Sequence, residues 1–303
     1  MGDDVVLRMV ERRRRMAGAI GGLGVVFDPS AYGLDALTDK YGVFSTARVL
    51  TSWTGNLVRL RRSSDNAESD FGYVASTGWL DTAAVLTWGG ADTLAITTVY
   101  DQGGNARDMV QTTAAQQPLL DLSGTHPAML WDGVDDIMTS ATMVAFAKNQ
   151  PSATLIGVGK LAVEALTRGM QGASNHFAAQ ARCGMGANAT NFYTSFGRRL
   201  NADSTQTTLL TISVTDIWVV EQGIFDWSGA KMYVYADTAT AIKDPFQTAG
   251  LSENLDSVAV TIGAQSTSNL MKGPTTLHVF TRDLLTDAQA LAFASSLAPL
   301  KAG

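Results

Sequence analysis

Eight short strand-like runs follow one another through the second half of the chain, at residues 154–163, 176–184, 191–197, 207–214, 217–225, 230–237, 258–265 and 275–283. Turn residues separate them at intervals of roughly 10 residues, a rhythm that an amphipathic helix cannot produce and that stacked antiparallel sheets require. The expected fold is therefore all-β, a sandwich or jelly roll. Composition agrees: 29 glycines and only 17% charged residues suit sheets and turns better than helical bundles. With 303 residues, 46% of them hydrophobic, the chain can bury a large core.

Other segments frame this array. Residues 3–19 read as a helix capped by Asp3 or Asp4, and the glycines at 18, 21, 22 and 24 end it. The chain thus divides into an arm, residues 1–26, and a sandwich, residues 27–303. The arm is a frayed terminus, a helix packed on its own domain or an attachment segment for a partner chain. Its acidic start and glycine-broken apolar part argue against a secretory signal. Residues 47–53 and 56–62 read as strands joined by a turn, with Val58 and Leu60 inward and Arg59 and Arg61 outward. Residues 80–90 read as a short helix. So do residues 286–300, where Thr286 can cap and Gln289 stands three positions on, as in a capping box.

Several functions are disfavoured. A net charge of −6 opposes nucleic acid as a partner. No apolar run reaches the roughly 18 residues of a membrane span. Cys183 is the sole cysteine, so no internal disulfide forms. His126, His176 and His278 are scattered without ligand spacing, and no nucleophile elbow, phosphate loop or dinucleotide fingerprint occurs.

What remains is polar loop chemistry. "YDQGGNARD" places Tyr100, Asp101, Gln102, Asn105 and Asp108 directly after a strand. "WDGVDD" groups Asp132, Asp135 and Asp136 in one turn. Carboxylates so grouped can hold Ca²⁺, or can bond the backbone of their own turn. Trp131, Trp227 and Tyr193 are candidates for a sugar-stacking platform, Trp131 and Trp227 because turns flank them, whereas Trp218 alternates inward.

The stretches "VRLRRSSDNAESDFGYV" and "ITTVYDQGGNARDMVQT" resemble a paired signature of the N-terminal sandwich of a fungal α-L-arabinofuranosidase family and of many bacteriophage virion proteins. "LWDGVDDIM" and the segment from Leu270 to Phe293 resemble the opening and closing parts of laminin-G-like, concanavalin-type domains, which implies a concanavalin-like jelly-roll sandwich. The resemblance covers roughly residues 30–300. It implies that the "YDQ" loop, shared by enzymes and non-enzymes, is a corner of the fold. It also aligns Thr167 and Gln265 with the two catalytic positions of the arabinofuranosidases. Threonine without a base is a poor nucleophile, and glutamine has no proton to give.

The reading that follows is a non-catalytic virion subunit of a tail fibre, tail tip or head fibre, assembled in the host cytoplasm. It would bind host surface glycan, meet other virion proteins through residues 3–19 and form a homo-oligomer, expected to be a trimer, that gains avidity. The alternative is a glycoside hydrolase on arabinan-like polysaccharide, with Glu164 or Glu221 as substitute nucleophile.

Overall fold

A computed structural model describes residues 27–302, apart from 163–167, 174–181, 191, 201, 214–215, 240–241, 246–247, 254–259 and 265–269. The expected helix at 3–19, together with Glu164, Thr167, His176 and Gln265, lies outside the described residues. The fold is all-β, as expected, with eighteen strands and two α-helices among the described residues.

Two antiparallel layers form the sandwich. In the first, β1 (Lys40–Ser45) and β9 (Ser152–Gly159) flank β18 (Lys272–Thr281), and β14 (Val219–Asp226), β15 (Lys231–Ala236) and β16 (Ile242–Pro245) continue from β9. The second layer starts at β13 (Gln206–Ser213), β12 (Phe192–Arg198), β11 (Arg182–Ala187) and β10 (Arg168–Ala173). It runs on through β17 (Val260–Ile262), β8 (Met138–Ser140), β5 (Met109–Val110), β4 (Leu94–Val99), β2 (Val58–Arg62) and β3 (Glu68–Phe71). The strands β6 (Leu119–Asp121) and β7 (Ala128–Asp132) bridge the layers, from β4 to the first residues of β18.

The main core fills the space between the layers, with Leu60, Ile96, Leu155, Met170, Met185, Phe225 and Phe280. A second core covers the outer face of the first layer. There Ile156, Val158, Val220, Ile224, Leu277 and Val279 meet Tyr32, Leu34 and helix α2 (Asp287–Ser296), the other helix being α1 (Thr82–Gly89). Strands buried on both faces lose polar alternation, which is why every residue of β9 is buried. Helix α2 carries the expected capping box: the Thr286 hydroxyl accepts from the Gln289 N–H, and the Gln289 side chain accepts from the Thr286 N–H. Its Ala290 and Phe293 are buried on the sheet, where Gln222 donates to the Ala290 carbonyl at 2.7 Å.

Strand β2 alternates as expected, with Val58 and Leu60 buried and Arg59 paired outward with Asp70 at 2.7 Å. Residues 47–53 depart from expectation. They form a single bridge, Ala47 to Trp79, and then turn, because their amides bond non-neighbouring side chains: Val49 N–H reaches Gln102 at 2.9 Å and Thr51 N–H reaches Asp35.

Candidate active site

The "YDQGGNARD" loop is a knot of backbone bonds. The Asp101 Oδ1 accepts from Val43 N–H at 3.0 Å and Gly103 N–H at 2.8 Å, and Oδ2 accepts from Arg107 N–H. Asp108 accepts from Asp101 N–H. Gln102 bonds Val49 and Ala47 with both ends of its amide. Asn105 reaches the Lys40 carbonyl, and the Tyr100 hydroxyl donates to Asp70. Asp101 and Gln102 are buried. The side chains of this loop join β1 to β4 and leave little for a ligand to hold. The "RRSSDN" stretch is also self-contained. Arg62 grips Asp65 through two bonds, Arg61 donates to Asn66, and Ser64 donates to Asp92.

Three aromatic candidates for an open sugar platform lie inside the protein: Trp131 and Tyr193 are 1% exposed and Trp227 is 0% exposed. Turns flank both tryptophans, but each strand end inserts its indole between the layers, so the expected accessibility is wrong. Trp218, expected inside, is half-buried. Glu221, the substitute nucleophile, is 0% exposed on the inner face of β14. Burial raises its carboxyl well above the ordinary value and outweighs the nearby Gly186 amide. A neutral, enclosed acid does not attack a sugar.

The acidic turn after β7 is differently placed. A cleft of about 370 Å³ opens beside it, lined by Leu119, Leu130, Trp131, Asp132, Asp136, Ala162, Lys272 and Gly273. That volume falls in the ordinary range of small-molecule clefts. The ladder of β7 with β18 builds it: Asp132 pairs with Lys272, and Trp131 with Gly273. Gly133 takes φ +78°, and a Cβ there would press on Lys272 and on the Arg168 guanidinium. That guanidinium donates to the Gly133 carbonyl at 2.9 Å and to the Leu270 carbonyl at 3.1 Å, tying the turn to β10.

Oxygens of Asp132, Asp135 and Asp136 lie within 4.8 Å of one another. Asp132 is exposed, and its Oδ1 accepts from Val134 N–H at 2.7 Å and Asp135 N–H at 3.3 Å. Asp136 is buried and accepts from Asp132 N–H at 2.9 Å. Burial, with the Asp132 and Asp135 charges adding to it, raises the Asp136 carboxyl to about 6. Two close carboxyls in unlike environments are the arrangement from which one acts as acid and the other as nucleophile. The same oxygens are the set expected for Ca²⁺.

Residues 35–147 match the family model described as "Alpha-L-arabinofuranosidase B, catalytic". Among solved structures the chain resembles an arabinofuranosidase complexed with arabinofuranosyl-α-1,2-xylobiose: TM-score 0.66, 15% identity, 91% of this chain and 65% of that one. A GH54 α-L-arabinofuranosidase soaked with a cyclic sulfate inhibitor is similar to the same degree: TM-score 0.66, 15% identity, 91% of this chain and 66% of that one. The chain thus spans about two thirds of the length of these structures. No curated protein matches. The fold is the β-sandwich that these arabinofuranosidases carry. The matches correct the expectation of a non-catalytic tail-fibre, tail-tip or head-fibre subunit located in a virion, because they fall on a glycosidase catalytic domain and on arabinofuranosidases.

Proposed function

We propose that this chain is a glycoside hydrolase that cleaves α-L-arabinofuranosyl linkages, with Asp132 and Asp136 as its carboxyl pair. The observation that carries the reading is positional. The stretch matching the arabinofuranosidase catalytic model, residues 35–147, contains both carboxyls and the Leu119, Leu130 and Trp131 wall of the cleft.

The chemistry follows from the spacing. Retaining glycosidases hold their carboxyls about 5–5.5 Å apart, whereas inverting ones need roughly 6.5–9.5 Å for a water between them. One oxygen of each lies within 4.8 Å of the other, which leaves no room between them for the attacking water of an inverting enzyme and favours retention. Asp136 holds its proton to about pH 6 and gives it to the glycosidic oxygen as the bond breaks. The exposed Asp132 carboxylate attacks the anomeric carbon, its Oδ1 steadied by two backbone N–H groups, which leaves Oδ2 as the attacking atom. Asp136, now ionised, takes a proton from water, which releases the glycosyl ester. Lys272 supplies a cation on the cleft wall opposite Asp132.

The test is chemical rescue. Asp132→Gly should lose hydrolysis of an aryl α-L-arabinofuranoside by about 10³-fold or more, and azide should restore aryl release as a glycosyl azide of inverted anomeric configuration. An Asp132→Gly protein that hydrolyses at the wild-type rate would overturn the assignment of the pair.

A further inference from the structure

A buried chain of polar groups runs from the cleft wall into the middle of the sandwich. Trp131 Nε1–H donates to Thr275 Oγ1 at 2.9 Å, and Thr275 Oγ1 lies 2.9 Å from His278 Nε2. His278 Nδ1 lies 2.7 Å from Gln171 Oε1. The Gln171 amide nitrogen donates to the Val279 carbonyl at 3.0 Å and the Ile156 carbonyl at 3.3 Å. All four residues are 0–1% exposed.

The protons in this chain can be assigned. Two carbonyls flank the far end of Gln171, so its nitrogen faces them and its oxygen faces His278. An amide oxygen only accepts, so His278 Nδ1 carries the hydrogen. Nε2 is then an acceptor, and the Thr275 hydroxyl donates to it while accepting from Trp131. Every group is satisfied by one tautomer, the neutral Nδ1–H form. Burial favours that neutral form, drawing the imidazole down to about 3.

The chain ends on a residue that matters for the cleft. Trp131 precedes Asp132 on β7, and its ring is held between the Gly263 backbone and an edge-on His278 ring at 6.2 Å. The rungs Gly273–Trp131 and Lys272–Asp132 pass the constraint to the carboxylate.

We propose that Thr275, His278 and Gln171 are positioning residues: through Trp131 they hold β7 so that Asp132 faces the cleft in attacking geometry. This rests on the glycosidase reading above. Misplacing a reacting group by about 1 Å can cost up to 10²-fold in rate.

Three measurements on the full chain decide the matter. Thr275→Val keeps the shape and removes the hydroxyl; kcat for an aryl α-L-arabinofuranoside should fall about tenfold or more while KM stays within about threefold. Thr275→Ser should recover kcat to within about twofold, which a purely structural loss would not require. In the wild type, the ¹⁵N spectrum of His278 should show a protonated Nδ1 and a bare Nε2. An Nε2–H tautomer would overturn the inference without any variant. Wild-type turnover with an unchanged kcat in folded Thr275→Val would overturn it alone. No turnover in the wild type, with the Nδ1–H tautomer present, would overturn the glycosidase reading and this role with it.

Discussion

Glu221 offers a sharp test of how the interior is built. Its carboxyl sits between the layers, opposite Gly157 on one neighbouring strand and Ala236 on the other, neither of which brings a side-chain donor. Among the described residues its oxygens find no side-chain partner, only the Gly186 amide favouring the charged form, and the Tyr193, Ser195 and Thr208 hydroxyls of the facing layer make no hydrogen bond. An ionised carboxylate there would have no counter-charge among the described residues, so the folded protein keeps the acid neutral. The sign follows. The folded pKa is raised, so folding retains a proton that the unfolded chain releases above the ordinary glutamate value of about 4.3. Stability from this group is full below that value and is lost as pH rises towards the folded value. One proton sets the slope at about 1.4 kcal/mol per pH unit. Other buried groups titrate in or near the same range. Asp136, raised to about 6, acts in the same direction up to that pH. His278, lowered to about 3, acts in the opposite direction between there and its ordinary value. Comparing wild type with Glu221→Gln cancels both. Denaturant unfolding followed upward from about pH 4.5 should show the glutamine variant gaining on the wild type, at a slope of up to about 1.4 kcal/mol per unit that levels off once the folded value is passed. Each kcal/mol should appear as roughly 2–4 °C in Tm. A difference independent of pH, or a wild type that gains at high pH, would refute the account of this interior.

Three further outcomes follow from the same structure. Asp101→Ala removes the acceptor of three backbone amides in a buried corner and should cost about 2–4 kcal/mol by denaturant unfolding. Gly263→Ala places a methyl into the Trp131 ring at φ +78° and should lower stability by about 1–3 kcal/mol, read together with a perturbed indole N–H signal of Trp131. Thr286→Ala loses the cap of α2 and should cost about 1 kcal/mol, with Tm measured by calorimetry.

Local patterns were readable where physics is local. The Thr286–Gln289 capping box, the helix at 82–89 and the alternation of Val58 and Leu60 each follow from neighbours in the sequence. The Asp101 loop was legible as turn chemistry because its short polar side chains act within a few residues and on the adjacent strand. Strand β10 was not: its Arg168 and Gln171 fall between the strand-like runs of the sequence. They are buried because Arg168 meets carbonyls at 133 and 270, and Gln171 meets carbonyls at 156 and 279. Trp131 and Trp227 were misjudged for a similar reason, since nearness to a turn says nothing about which way a strand end points. The acidic group at 132–136 was visible as a cluster, but its cleft was not. Its walls come from residues 119–136, 162 and 272–273, which meet only through the β7–β18 ladder.

The central claim is that a carboxyl pair in this cleft hydrolyses arabinofuranosides. The pH profile of kcat/KM on an aryl α-L-arabinofuranoside, wild type beside Asp136→Asn, addresses it most directly. The account requires turnover whose alkaline limb falls near pH 6, where Asp136 gives up its proton, and a loss of at least about 10²-fold in the asparagine variant. A wild type that leaves the substrate intact, or an asparagine variant with the wild-type profile, would contradict it.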